Sequence, residues 1–251
     1  MTVIGITGGV GAGKSRILEI LQKEYGAYVL FADKVAAELE EPGQEGYRLL
    51  VEAFGTGILG ADHRLDRQAF AQMIFQDSRL LSEVNAMIHP LTWKAVREKL
   101  KAYEKKENPV SRVQTEAGCS CQEGSAGKGR PFLAAVEAAL FDEQSREICH
   151  TLWYIDASKE NRIRRLMEGR GYTLEKCLDI IKNQRSREEY LALADQVIDN
   201  NGTLEEVRRQ IARLLGPCSD FHGQIGKQSG PVAFRRKEGS IENSKKERQD
   251  P

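Results

Sequence analysis

The chain has 251 residues, 40% of them hydrophobic and 29% charged, with 37 Lys+Arg against 37 Asp+Glu. That composition is globular and carries no net charge to draw it to nucleic acid or a lipid surface, and no run reaches the about 18 apolar residues of a membrane-spanning helix. The expectation is a cytoplasmic protein, monomeric or weakly self-associating, built on one α/β domain with appendages.

Thr2–Thr7 is a β-branched run that stops at Gly8-Gly9, and Lys14–Tyr25 carries Ile17, Leu18, Ile20 and Leu21 at helical spacing. This predicts strand, glycine turn, helix. A second apolar run, Ala27–Phe31, leads to Asp33, and helices are predicted over Leu49–Phe54, Phe70–Phe75 and Leu80–Ile88. His89-Pro90 then reads as a helix stop with a packed imidazole. Phe132–Val136, Leu152–Ile155 and Gln196–Ile198 are predicted strands, each followed by a polar turn and a helical pattern. Strands alternating with helices imply a parallel sheet covered on both faces. The last helix is framed by a capping box, Thr203 and Glu206, and ends near Gly216-Pro217.

Two segments lack the apolar residues that would offset their ordering entropy: Lys105–Arg130, expected as a mobile insertion, and Pro217–Pro251, expected as a disordered tail. Five cysteines, an odd count, argue against a disulfide framework, and Cys119 and Cys121 have no partners at zinc spacing.

Gly8-Gly9-Val10-Gly11-Ala12-Gly13-Lys14-Ser15 matches G-x-x-x-x-G-K-[ST] between a strand and a helix. Backbone N–H groups of such a loop surround phosphate oxygens, and the helix that follows adds the positive end of its dipole. Gly8, Gly9, Gly11, Ala12, Gly13, Lys14, Ser15 and Arg16 are therefore the nucleotide-binding candidates. Lys14 reaches the β- and γ-phosphates of a bound nucleotide, and the Ser15 hydroxyl is a ligand for Mg²⁺; the loop alone does not separate a kinase from a GTPase or motor. The fold class this defines is an α/β, P-loop nucleoside-triphosphate hydrolase-like three-layer fold.

On the acceptor side, Asp33 follows the second strand, where a carboxylate is placed either to take a proton from a hydroxyl or to cap a helix over Lys34–Glu40. Glu137 ends the third strand, as a metal-shell carboxylate or a helix-start residue. Arg162, Arg164, Arg165 and Arg170 crowd one amphipathic segment, with Arg162 and Arg165 on one helix face, suited to chelating a transferring phosphoryl group.

Together these marks resemble the dephospho-coenzyme A kinase family from Val3 to about Leu215. The resemblance rests on Ile6–Ser15, Ala32-Asp33-Lys34-Val35-Ala36, Glu41-Pro42-Gly43, Leu65-Asp66-Arg67, Ile88-His89-Pro90-Leu91, Glu137–Glu143, Gln184-Arg185-Ser186 and Ala194–Gly202. It implies ATP-dependent phosphorylation of the ribose 3′-hydroxyl of dephospho-coenzyme A, with Asp33 as base, His89 on the acceptor and Lys14 and Arg165 at the phosphoryl group. It also implies a kinase domain over 1–215, with an acceptor-binding helical region about 34–100, the insertion about 105–130, a lid about 159–190 and the tail 216–251. Departures are Arg16, where the family more often has Thr, Glu137 and Ala139, where Asp and Pro are usual, and Asp142, where an aromatic or aliphatic residue is usual. The rival readings are a nucleoside monophosphate kinase-like enzyme and a non-catalytic ATP-binding sensor; no N-K-x-D segment supports a guanine-nucleotide switch.

Overall fold

The computed structural model describes residues 1–107 and 132–216. The greater part of the expected insertion, the tail beyond Gly216, and Cys119, Cys121 and Cys218 lie outside the described residues.

Five strands, β1 (Thr2–Thr7), β2 (Tyr28–Phe31), β3 (Leu133–Glu137), β4 (Thr151–Asp156) and β5 (Gln196–Asp199), form one sheet in the order β2-β3-β1-β4-β5. Every pairing is parallel. A parallel sheet must be buried on both faces, and β4 is buried at all six positions. On one face Ile4, Ile6, Trp153, Ile155 and Ile198 pack under α1 (Lys14–Tyr25) and α10 (Leu204–Leu215), through Ile17, Leu21, Val207 and Ile211. On the other, Val3, Ala134, Val136 and Leu152 meet Trp93, Val96 and Leu100 of a long helix, α5 (Ser78–Glu107). The Thr203–Glu206 capping box of α10 is present as expected, and Gly216 ends that helix.

α2 (Ala32–Leu39), α3 (Glu45–Phe54) and α4 (Arg67–Gln76) gather around the first half of α5, with Leu50, Ile58, Phe70, Val84 and Ile88 as a third apolar cluster. α5 overturns two expectations. Pro90 does not stop a helix but lies inside one. A helix-interior proline costs about 3 kcal/mol, but Val84 and Ile88 before it and Trp93, Val96 and Leu100 after it are all buried, in two different clusters. Burial on both sides outweighs the break, and Thr92 Oγ1 donates to the Ile88 carbonyl one turn on, at 2.8 Å. The helix also runs to Glu107, into the start of the expected insertion, because Tyr103 stacks on Tyr28 at 4.0 Å and Glu104 pairs with the N-terminal amine at 3.1 Å.

After β3 come α6 (Glu143–Ile148), α7 (Lys159–Arg170), α8 (Leu174–Lys182) and α9 (Arg187–Leu193). No helix among the described residues is long and apolar enough to cross a membrane.

Candidate active site

The carboxyl edge of the sheet brings together Thr7, Phe31, Glu137, Asp156 and Asp199, the last residues of the five strands. In open parallel sheets this edge is where ligands bind. The glycine loop leaves β1 at its centre and ends on Gly13, a left-handed N-cap with φ of 94° that contributes no side-chain cap to α1. The first-turn N–H groups therefore stay with the loop, the arrangement that takes an anion. Glycine is required at Gly13 by its φ and by the Asn200 amide packed against it. At Gly11, with φ of 81°, a Cβ would lie 2.8 Å from the Arg162 carbonyl oxygen.

Lys14 Nζ donates to the Gly8 carbonyl at 2.8 Å and lies 3.4 Å from Glu137 Oε1. The register explains the pair: Ile6 is opposite Glu137, so β3 delivers its last carboxylate beside the start of the loop. Glu137 is not a helix-start residue, because the next helix begins only at Glu143. Ser15 is exposed at the start of α1. Arg16 points away from the loop, its guanidinium pairing with Glu19 at 2.6 Å on the exposed face of α1.

α7 descends on the loop with two of its four arginines. Arg162 Nε donates to the Val10 carbonyl at 2.9 Å, and Arg162 also bonds Gln184, whose Oε1 accepts from Val10 N at 3.1 Å. Arg165 donates to Ala12 O at 3.2 Å and to Asn200 O at 2.7 Å. Burial lowers the pKa of both guanidiniums, Arg165 further lowered by Arg164; an arginine stays cationic in a protein. Arg164 faces outward to Asn161, and Arg170 lies over the Tyr172 ring. Asp156 fastens α9 beneath this group, accepting from Arg187 Nε at 2.9 Å and from the Tyr154 hydroxyl at 3.1 Å.

Taken singly in the sequence, Gln184 and Asn200 have no evident role. Asn200 is 8% exposed and donates to Ala12 O at 2.7 Å. Neutral amides give no charge or spacing signal; the only trace was their place in the Gln184-Arg185-Ser186 and Asp199-Asn200-Asn201-Gly202 strings.

Along the edge, where β2 and β3 end, a cleft of about 230 Å³ joins Asp33 and His89, with Ala32, Trp93, Ala138 and Leu140 among its walls. Asp33 is exposed in the first turn of α2 and is not its cap: the cap position is Phe31, with no side-chain cap bond. Among the described residues the Asp33 carboxylate has no hydrogen-bond or ion-pair partner. His89 Nδ1 lies 3.3 Å from Asp142 Oδ2, and Asp142 Oδ1 accepts from Ser145 N at 2.9 Å as the N-cap of α6. Burial pushes the Asp142 carboxyl up, but the Ser145 N–H and His89 together outweigh it and hold it below the usual carboxylate range. A second hollow, of about 410 Å³, adjoins at Glu40 and is crossed by the pairs Arg67–Glu40 at 3.0 Å and Arg64–Glu41 at 2.6 Å.

Among the described residues no cluster of three or more His, Cys, Asp or Glu is set to hold a metal. A magnesium ion needs none, because it keeps several waters and binds through one or two protein oxygens plus substrate phosphates. The Ser15 hydroxyl, next to Lys14 in the chain, and the Glu137 carboxylate, 3.4 Å from Lys14 Nζ, are oxygen donors of the kind that demand calls for.

Phosphate-binding groups converge over β1, while the carboxylate cleft opens where β2 and β3 end, so donor and acceptor have neighbouring places on one sheet edge. The chain is a P-loop kinase. The family model described as Dephospho-CoA kinase matches residues 2–114 and 128–206, and the chain belongs to that family. The break in the match, 115–127, falls inside the expected insertion. The Dephospho-CoA kinase of Ralstonia nicotianae is 35% identical over 219 residues, covering 85% of this chain and 97% of its own. That of Streptomyces avermitilis is 34% identical over 212 residues, covering 84% and 91%. A crystal structure from Thermus thermophilus superposes with a TM-score of 0.62 at 28% identity, covering 85% of this chain and 96% of its own. A Dephospho-CoA kinase structure from Campylobacter jejuni, at 17% identity and a TM-score of 0.53 over 85% and 94%, shares the fold.

Proposed function

We propose that this chain transfers the γ-phosphoryl group of ATP to the ribose 3′-hydroxyl of dephospho-coenzyme A, giving coenzyme A and ADP, the last step of coenzyme A synthesis. The observation that carries the reading is that the family match spans both sides of the site: the loop, Asp33 and His89 fall in 2–114, and Arg162, Arg165 and Asn200 in 128–206.

In this reading the backbone of Gly8–Ser15 cradles the phosphates and Lys14, held by Gly8 and Glu137, supplies charge to the transferring group. Arg162 and Arg165, already anchored on the loop, offset the charge that develops on its oxygens. Asp33 orients the acceptor hydroxyl and takes its proton, and its exposed carboxylate suits that task. Mg²⁺, held by Ser15 and Glu137, would neutralise phosphate charge. The enzyme acts in the cytoplasm as a monomer or weak homo-oligomer, without nucleic acid or membrane.

A coupled assay with Mg·ATP and, in parallel, dephospho-coenzyme A, AMP, CMP and UMP tests the reading. ADP release with dephospho-coenzyme A well above the nucleotides is expected. Preference for a nucleoside monophosphate would move the chain to that kinase class, and ATP binding without turnover of any acceptor would make it a sensor.

A further inference from the structure

The acceptor cleft holds a second hydrogen-bonding device besides Asp33. Of the polar side chains lining it, Glu40 is taken by Arg67 at 3.0 Å and Thr92 by the Ile88 carbonyl at 2.8 Å, which leaves Asp33, Asn85 and His89 for a ligand. At about 230 Å³ it is small beside the roughly 300–1,000 Å³ of pockets that take a drug-sized ligand, so it fits one sugar ring and not a whole acceptor.

The orientation of His89 is set by Asp142. A carboxylate only accepts, so the ring nitrogen facing it across 3.3 Å, Nδ1, must carry the proton. In the neutral imidazole Nε2 is then a bare acceptor. Asp142 is itself fixed, since its other oxygen caps α6 through Ser145 N at 2.9 Å and its own N–H donates to Ser145 Oγ at 2.7 Å. One side chain thus ties a helix start to an imidazole on another element.

We propose that Asp142 is a positioning residue for acceptor recognition: by holding the Nδ1 proton of His89 it leaves Nε2 as a hydrogen-bond acceptor in the cleft that Asp33 also lines. The cleft then offers two acceptors to the two hydroxyl donors of a ribose cis-diol, Asp33 to the hydroxyl that is phosphorylated and His89 to its neighbour. This rests on the acceptor reading above and adds to it a preference for ribose over 2′-deoxyribose.

Two variants separate this role from the helix cap. Serine caps as well as aspartate but is too short to reach His89, so Asp142→Ser keeps the α6 cap and loses the imidazole contact. Asp142→Asn keeps the length, but its amide can donate to Nδ1 and reverse the tautomer. Wild type should favour dephospho-coenzyme A over its 2′-deoxyribose analogue in KM by about three- to tenfold, the worth of one hydrogen bond. In Asp142→Ser that preference should vanish through a raised KM for the ribose substrate alone, and in both variants the KM for ATP and the melting temperature should stay unchanged. The ¹⁵N shifts of His89 should report the Nδ1–H tautomer in wild type and its loss in Asp142→Asn. An active wild type with the preference intact in Asp142→Ser, or a proton on Nε2 in wild type, as the other tautomer or as imidazolium, overturns the proposal alone. A wild type that turns over neither substrate overturns the acceptor reading, and the recognition role with it.

Discussion

Glu137 Oε1 lies 3.4 Å from Lys14 Nζ, both side chains less than a fifth exposed, so the lysine of the phosphate loop is held by the neighbouring strand as well as by the Gly8 carbonyl. Lys14→Ala therefore does two things. It removes the charge that acts on the transferring group, and it strands Glu137 without a counter-ion. Turnover should all but vanish, and thermal unfolding should show a loss of about 1–3 kcal/mol, the range for a hydrogen-bonded charge left unpaired. Near-normal kcat in the folded variant would remove Lys14 from the mechanism.

The four arginines of α7 should separate by contact. Arg165→Ala loses the bonds to Ala12 O and Asn200 O and is expected to lower kcat by about 10²–10³-fold, the usual loss for one donor aimed at developing charge. Arg164→Ala, which gives up only an exposed contact to Asn161, should leave steady-state kinetics within experimental error. Equal losses in the two variants would mean that the helix contributes diffuse charge and not placed donors.

Much of this was legible in the sequence because it is written in charge, glycine and periodicity. The loop, all five strands and the α10 capping box follow from Gly8–Ser15, from short apolar runs and from Thr203 and Glu206. What was not legible depends on two distant segments meeting. Pro90 reads locally as a stop, and only burial of Ile88 and Trp93 in separate clusters keeps it helical. Asp33 reads equally as a base or a cap until the chain enters α2 two residues earlier, and Asp142 reads as a mere departure until β3 and α5 bring it to His89.

Alkaline stability should reveal Cys149. Burial pushes its thiol from 9.0 to about 12, with Arg146 opposing only in part. The folded state keeps the proton after the unfolded chain has lost it, so above pH 9 the unfolded chain binds fewer protons and stability falls with pH. The contribution is complete below pH 9 and is lost progressively towards pH 12. Urea midpoints measured from pH 8 to 11 should fall less steeply in Cys149→Ala than in wild type. Parallel slopes would show that the thiol titrates alike in both states.

The measurement that bears most directly on the account is the rate at which purified Asp33→Asn, beside wild type, forms 3′-phosphorylated product from dephospho-coenzyme A and Mg·ATP. Asparagine keeps the size of the side chain and removes the base, and Asp33 caps nothing that the exchange would loosen. The account predicts a kcat lower by about 10²–10⁴-fold, the range for a general base, with ATP affinity and melting temperature preserved. A folded Asn variant that binds ATP normally and makes the product within a few-fold of the wild-type rate would contradict it.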